Sequence, residues 1–304
     1  RGYEDKDVFV WVCAFAIRQH DPAAEIPHAI RASPFFLAIL LAQMTLIIIE
    51  VDEHDESPAG SGALGRMWCA LEAQVSMVAG GPKYLTDIYA HHGGEVCRLT
   101  DGLIESDRNL SFNKQARDDL FPLHIVVRAM SFFFKLTLAS EPRDRMSILD
   151  YVENESPGGV EVVEYTVRAR YFVAALPQLA RDEDADLGSW FLALKESALP
   201  RVAVSTKLPA RHRLSLVQSL PSTLVDLLLP SVGLGVADVG AIALFLKRED
   251  CLVQNLGLSF NGLEHEAGVL LGEALRVNSS VMKVNLGGNK LAAEGIKHLT
   301  DALK

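Results

Sequence analysis

Three short polar clusters contain the residues best suited to chemistry. Arg18-Gln19-His20-Asp21 follows an apolar stretch, at the kind of strand end where open α/β sheets bind ligands, although such residues equally form a plain exit from strand to loop. The acidic run Asp52–Glu56 suits either a divalent cation or a solvated loop. His91 and His92 precede two glycines, and we expect them to lie in a loop without a metal.

Several catalytic signatures are missing from the sequence. It has no Walker A loop for phosphates, no Ser-His-Asp order with a nucleophile elbow and no cysteine-protease signature. The four cysteines are scattered without a Cys-x-x-Cys pair, which predicts free thiols in a reducing compartment. We therefore expect no resident cofactor, no metal and a cytoplasmic location.

The composition is that of a globular protein large enough for two domains. Of the 304 residues 49% are hydrophobic, and the net charge of −10 disfavours nucleic acid and anionic membranes as partners. Pro34–Ile49 is nearly all apolar but short for a membrane span, so a buried helix running into a buried strand is the simpler interpretation. Because the chain begins without Met and ends within a helical pattern, we expect it to be a fragment at both ends.

A repeat occupies the C-terminal third of the sequence. The segment from Leu256 to Leu263 recurs 28 residues later from Val284 to Leu291, with Asn261 matched by Asn289. An earlier copy lies 29 residues back, where Val232 replaces the Asn, and a degenerate fourth copy includes Leu199, Val202, Val204 and Leu208.

Each copy predicts a strand, a turn and a helix. Alternate apolar residues place one face of the strand inward, and the Asn can hydrogen-bond backbone groups where the chain leaves the strand. One copy cannot bury its own apolar face, so we expect the copies to stack into a leucine-rich-repeat solenoid over residues 199–304.

Repeats of 28 and 29 residues resemble the ribonuclease-inhibitor class of leucine-rich repeats. The resemblance implies an intracellular protein-recognition or signalling adaptor that binds a protein partner on its strand face. The outward residues, which are small and polar without an aromatic or Arg anchor, are predicted to be Gln254, Asn255, Gly257, Ser259, Met282, Lys283, Asn285 and Gly287.

In the N-terminal half, the predicted order of strands and helices is that of a doubly wound, flavodoxin-like α/β domain. Asp7–Ile17 and Ala38–Val51 predict buried strands, and their continuous apolar runs favour a parallel sheet covered on both faces. The acidic loop follows, and then a helix with apolar residues from Leu64 to Val78. Val160–Leu176 predicts a connecting helix, and Arg181–Asp186 predicts the start of another. The expected units are an α/β domain over 1–153, a helical connector over 154–198 and the repeats.

The same half resembles the Toll/interleukin-receptor (TIR) domain. Arg66-Met-Trp68-Cys69-Ala-Leu-Glu72 is similar to that family's Ser-x-Trp-Cys-x-x-Glu segment. Trp11–His20 and Ala139–Leu149 resemble TIR-related domains of large protist and algal proteins, which often carry ribonuclease-inhibitor-type repeats. The resemblance covers residues 7–153 and implies an assembly module that associates with like domains.

In TIR domains that cleave NAD, the Glu of this segment is catalytic, and the matching residue here is Glu72. The alternative function is therefore that of an NAD hydrolase, with NAD as substrate and Arg18, Gln19, His20 and Trp68 lining its cleft. Trp68 precedes Glu72 by four residues on one helix face, and burial beside the indole would raise the pKa of the carboxyl. In the opposing interpretation Trp68 is a core residue and the chain is not an enzyme.

Overall fold

The computed structural model describes residues 29–49, 65–78, 84–92, 94–101, 110–139, 141–182 and 185–302. The predicted strand over Asp7–Ile17, the cluster Arg18–Asp21 and the acidic run Asp52–Glu56 lie outside the described residues.

The first described elements form a helix–strand–helix–strand unit. Helix α1 (Pro34–Leu41) begins at Ser33, whose Oγ accepts a hydrogen bond from the Phe36 amide. It runs into β1 (Met44–Ile49), and α2 (Met67–Val78) then connects to β2 (Leu85–His92), which is parallel to β1. The prediction of a helix followed by a strand over Pro34–Ile49 is confirmed. No helix within the described stretches is long and apolar enough to span a bilayer.

Two expectations for this sheet are wrong. Strand β3 (Glu95–Leu99) is antiparallel to β2, and Gly94, just before it, has φ 84°. His91 and His92 are the last residues of β2 rather than part of a loop. Among the described residues no layer covers the side of β1 that carries Leu46 and Ile48, which are 52% and 72% exposed.

Five helices lie between the first sheet and the second. They are α3 (Leu110–Asp118), α4 (Leu123–Met130), α5 (Pro142–Asn154), α6 (Gly159–Leu179) and α7 (Gly188–Lys195). The connecting helix predicted over Val160–Leu176 is confirmed as α6, which is buried on most of its surface and packs against α2, α4, α5 and α7. Helix α7 begins at Gly188, later than the predicted Arg181–Asp186 start, with the Gly188 amide donating to the Asp186 carboxylate.

The C-terminal part is a second sheet of four parallel strands in chain order, each followed by a helix. The strands are β4 (Arg201–Ala203), β5 (Asp226–Leu228), β6 (Asn255–Gly257) and β7 (Lys283–Asn285). The helices are α8 (Ala210–Gln218), α9 (Val236–Leu246), α10 (His265–Val277) and α11 (Ala292–Ala302). We call each strand with its following turn and helix a block, numbered one to four.

The register of the second sheet matches the spacing of the repeat. Val202 pairs with Leu227, Leu227 with Leu256, and Leu256 with Val284. Val202, Leu227 and Leu256 are at most 1% exposed, so the middle residue of each of these strands points into the core. The protein is thus a mixed α/β chain with parallel strands in both sheets, and its buried apolar residues form one continuous cluster from Ile30 to Leu299.

The turns after β6 and β7 each contain the predicted Asn, which also bonds to the neighbouring block. The Asn261 Oδ1 atom accepts from the amides of Gly233 and Leu234 in block two, while its Nδ2 atom donates to carbonyls that include that of Leu229. Asn289 repeats the arrangement one block later by accepting from the Asn261 amide. The side-chain amides therefore join neighbouring blocks as well as closing their own turns.

Candidate functional site

The outward side of the second sheet begins with a buried polar ladder. The outward residues flank the inward one on each strand. Arg201 donates from Nε and Nη2 to Asp226 Oδ2 at 3.1 and 3.0 Å, and Asn255 Nδ2 donates to Asp226 Oδ1 at 2.6 Å. Asp226 is only 6% exposed. The first three strands thus satisfy their outward polar groups among themselves.

The chain's own N-terminal half contacts the outward side of block one. Arg201 Nη1 donates to the Tyr84 carbonyl at 3.0 Å, at the start of β2, and lies 4.0 Å from an Asp101 carboxylate oxygen. Ala203 is 4% exposed. A small cavity of about 10 Å³ lies between α3, α6 and β4, beside the buried Lys114–Asp118 ion pair. These contacts restrict the access of a large partner to the outward side of β4.

The eight predicted outward residues divide into two groups. Five of them are exposed, namely Gln254, Met282, Lys283, Asn285 and Gly287. Gly257 and Ser259 are buried, and Asn255 is half-buried and bonded to Asp226. The exposed members of this set lie just before β6 and along β7 and the turn that follows it.

Two apolar side chains on this surface carry more contact area than the predicted polar ones. Met282, just before β7, is 81% exposed, and Phe260, in the turn after β6, is 68% exposed. The repeat spacing predicted that Met282 points outward, but it did not predict how much of the side chain is exposed. Phe260 was missed because it lies in the turn and not on the strand. We define the open surface as Gln254, Phe260, Met282, Lys283, Asn285 and Gly287, all of which are exposed.

Glu72 lies in the middle of α2 and is half-buried. Its Oε1 atom is buried, and no donor among the described residues bonds to it. Burial raises the pKa of the Glu72 carboxyl to about 7, while the nearby Arg66 acts in the opposite direction. The expected rise in this pKa is confirmed. Such a carboxyl exchanges a proton near neutral pH, which suits a general acid or base.

Replacing Glu72 with Gln should stabilise the protein at alkaline pH. The folded-state pKa lies above the ordinary value of 4.5. The folded state therefore keeps a proton that the unfolded chain releases, so stability falls as the pH rises through this window. Glu72→Gln removes this loss and should raise the free energy of unfolding by about 2–3 kcal/mol at pH 8, with little effect near pH 4. Urea unfolding at both pH values measures this change in the free energy of unfolding. Glu249→Gln, at an exposed glutamate, is the control. An equal effect at both pH values contradicts the assignment.

Trp68 packs against two neighbouring helices. Its ring stacks on Phe35 with centroids 4.9 Å apart, and its Nε1 atom donates to the Asp144 carboxylate at 2.9 Å. These contacts tie α2 to α1 and α5. The other predicted cleft residues, Arg18, Gln19 and His20, lie outside the described residues, so their grouping with Glu72 stays a prediction.

A glycine pattern before α2 also bears on nucleotide binding. Gly60–Gly65 has Gly-x-Gly-x-x-Gly spacing and precedes a helix in a parallel β1–α2–β2 unit, which is the context of a dinucleotide fingerprint. The fingerprint requires its first glycine immediately after the strand. Here the ten residues 50–59 intervene, five of them acidic. Such a segment would repel a pyrophosphate, so the pattern does not predict a cofactor.

Metal ligands and disulfides are not found within the described ranges. No group of three His, Cys, Asp or Glu side chains there is placed to hold a metal ion. Cys69, Cys97 and Cys251 form no disulfide. No protein-family model matches the chain, and a search of curated proteins also finds no match. The interpretation of the site therefore rests on its own geometry.

Proposed function

We propose that this chain recognises a protein partner through the open surface of blocks three and four. In this proposal the blocks are leucine-rich repeats of the ribonuclease-inhibitor class stacked as a solenoid, and the N-terminal α/β part is a TIR-like module that associates with like domains. The observation that carries the proposal is the second sheet, in which parallel strands in chain order pair at the spacing of the repeat. Stacked blocks of this kind present a continuous strand face.

The chemistry of the open surface favours a protein over other partners. Lys283 is its only charged residue, so it has no positive stripe to follow a phosphate backbone, and the chain carries a net charge of −10. The buried thiols of Cys97 and Cys251, neither in a disulfide, support a reducing compartment such as the cytoplasm.

Paired charge reversals test the recognition function. Lys283→Glu changes the open surface, whereas Lys297→Glu makes the same change on the exposed side of α11. With both variants folded, we expect a stoichiometric partner to co-purify with wild type and Lys297→Glu and to be reduced about tenfold with Lys283→Glu. The complex should re-form from the purified components with the same preference. Equal recovery with both variants would remove the support for this surface.

A second candidate function is NAD cleavage by Glu72. The observation that favours it is the buried, unpartnered Oε1 atom together with a pKa of about 7. A carboxyl beside the ribose would stabilise the positively charged transition state that forms as the nicotinamide leaves. NAD cleavage is the second candidate because Trp68, the predicted cleft residue beside Glu72, is held by contacts with Phe35 and Asp144.

Turnover assays decide the second candidate. If Glu72 is catalytic, purified protein releases nicotinamide from NAD, and Glu72→Gln lowers the rate by at least about 100-fold while the protein remains folded. Glu249→Gln should leave the rate unchanged. Unchanged turnover in Glu72→Gln, or none in wild type, would rule this candidate out.

A further inference from the structure

The sequence contains a single Asn-Gly pair, Asn261-Gly262, which lies in the turn after β6. An Asn followed by Gly is chemically labile, because the next backbone nitrogen can attack the side-chain carbonyl carbon and no Cβ obstructs it. Gly262 is exposed and has φ 72°, and its amide donates a hydrogen bond to no other described residue. The nitrogen that would attack is therefore not held by an acceptor.

The carboxamide of Asn261, by contrast, is held firmly by block two. Its Oδ1 atom accepts from the amides of Gly233 and Leu234 at 2.8 and 3.1 Å. Its Nδ2 atom donates to the Leu229 carbonyl and to two carbonyls of its own strand and turn. Cyclisation joins the carboxamide carbon to the Gly262 nitrogen and expels Nδ2 as ammonia, so the bonds of Nδ2 have to break first. The contact between blocks two and three therefore opposes the reaction.

The side chain of Asn289 in block four restrains the same turn. Its Oδ1 atom accepts from the amides of Asn261 and Leu263 at 3.0 and 3.1 Å, the residues on either side of Gly262. Asn289 repeats the contacts of Asn261 one block later, but it is followed by Lys290, whose Cβ obstructs attack there. Asn289 is thus both a second restraint on the reactive turn and a matched internal control for the chemistry.

We propose that Asn261 is a site of spontaneous deamidation, and that the stacking of blocks two, three and four controls its rate. When the blocks separate locally, the Gly262 nitrogen loses its proton and attacks Cγ of Asn261, and the Cγ–Nδ2 bond breaks to release ammonia. One molecule of water then opens the cyclic imide to give an aspartate or an isoaspartate. No enzyme, oxidant or cofactor takes part.

The product cannot restore the contact between blocks two and three. A carboxylate in place of the Asn261 amide can accept from the Gly233 and Leu234 amides, but it donates nothing to the Leu229 carbonyl and repels it. An isoaspartate also adds a methylene to the backbone of the turn, directly after Phe260 of the open surface. A transient opening is thereby converted into a permanent one, whether or not the open surface binds a partner.

Peptide mapping by mass spectrometry measures the conversion during incubation at mildly alkaline pH. The full chain is incubated both folded and in guanidinium chloride, and Asn261 is compared with Asn289 in the same digest. In denaturant, Asn261 should convert at least about tenfold faster than Asn289, and Gly262→Ala should slow it by a similar factor. In the folded chain, Asn261 should convert at least about tenfold more slowly than in denaturant. Equal folded and unfolded rates would overturn the control by stacking, and equal rates for the two asparagines in denaturant would overturn the site.

Asn289→Ala separates the structural restraint from the chemistry. It removes both bonds that flank Gly262, so we expect Asn261 to deamidate about tenfold faster than in wild type, with folding verified by circular dichroism. Asn285→Ala, which loses a single exposed bond, should change the rate by less than about twofold. Asn261→Asp reproduces one product and should melt at least about 5 °C below wild type. An unchanged rate in folded Asn289→Ala, or an unchanged melting temperature in Asn261→Asp, contradicts the proposal. If Asn289→Ala does not fold, the wild-type comparison alone decides the control by stacking.

Discussion

Replacing Asn261 with alanine should lower the free energy of unfolding by about 3–4 kcal/mol. The side chain accepts from the amides of Gly233 and Leu234 at 2.8 and 3.1 Å. Its Nδ2 atom donates to the carbonyls of Leu229, Leu258 and Ser259. Leu229, Leu234 and Leu258 are at most 4% exposed, so water cannot readily replace the lost partner. Buried backbone groups left without partners carry their full desolvation cost.

Asn285→Ala is the matched control for Asn261→Ala. Asn285 is exposed, and its Oδ1 atom accepts a single hydrogen bond from the Gly287 amide. We expect a loss of no more than about 0.5 kcal/mol in urea unfolding. If Asn261→Ala costs no more than this control, the amide does not join blocks two and three, and the physical basis for stacking is wrong.

Substituting Gly268 with alanine should also be strongly destabilising, by about 2 kcal/mol. Helices α10 and α11 approach most closely there, and an added Cβ would lie 2.7 Å from the Gly295 Cα atom. Gly272 makes a similar approach, with the His298 carbonyl oxygen 2.8 Å from the position of its Cβ. Because these neighbours are backbone atoms, the helices themselves must separate.

Gly240→Ala provides a control inside α9, the helix of block two. No atom lies within 4 Å of its added Cβ. Here alanine should stabilise the protein by about 0.5–1 kcal/mol, because it reduces the backbone freedom of the unfolded chain inside a helix. Changes of opposite sign in the free energy of unfolding are expected for these two helix glycines from thermal or urea unfolding. A destabilising Gly240→Ala, or a neutral Gly268→Ala, would contradict this account of the helix packing.

The strand register of the second sheet was predictable because it depends on local pattern. Leu227, Leu256 and Val284 recur at 29- and 28-residue spacing, and a strand that slipped by one residue would turn its leucine away from the core. The role of Asn261 followed from the same pattern, since short amide side chains bond nearby backbone. The helix over Met67–Val78 was predictable from its apolar spacing.

The accessibility of the strand face was not predictable. Asp226 and Lys283 occupy equivalent positions, yet Asp226 is buried and Lys283 exposed. The difference arises from contacts such as that between Arg201 and the Tyr84 carbonyl, which are 117 residues apart. Repeat spacing defines which way a side chain points, whereas only tertiary packing determines what covers it.

The burial of β1 in the first sheet was likewise not predictable from the sequence. An Ile/Val-rich β1 suggested burial on both faces, but a strand's composition does not determine whether another layer packs against it. The Gly-Gly pair before Glu95 carried a hairpin signal that pointed to the antiparallel β3. For Glu72, the sequence suggested a raised pKa, but the contacts of Trp68 with Phe35 and Asp144 emerged only from the fold.

Hydrogen–deuterium exchange on the complex with the co-purified partner tests the recognition proposal most directly. The account predicts that the partner slows amide exchange in residues 254–260 and 282–288, and leaves α9, α10 and α11 at the rates of the unbound chain. Protection confined to those helices, or to the N-terminal half, would show that the strand face of blocks three and four is not the binding surface.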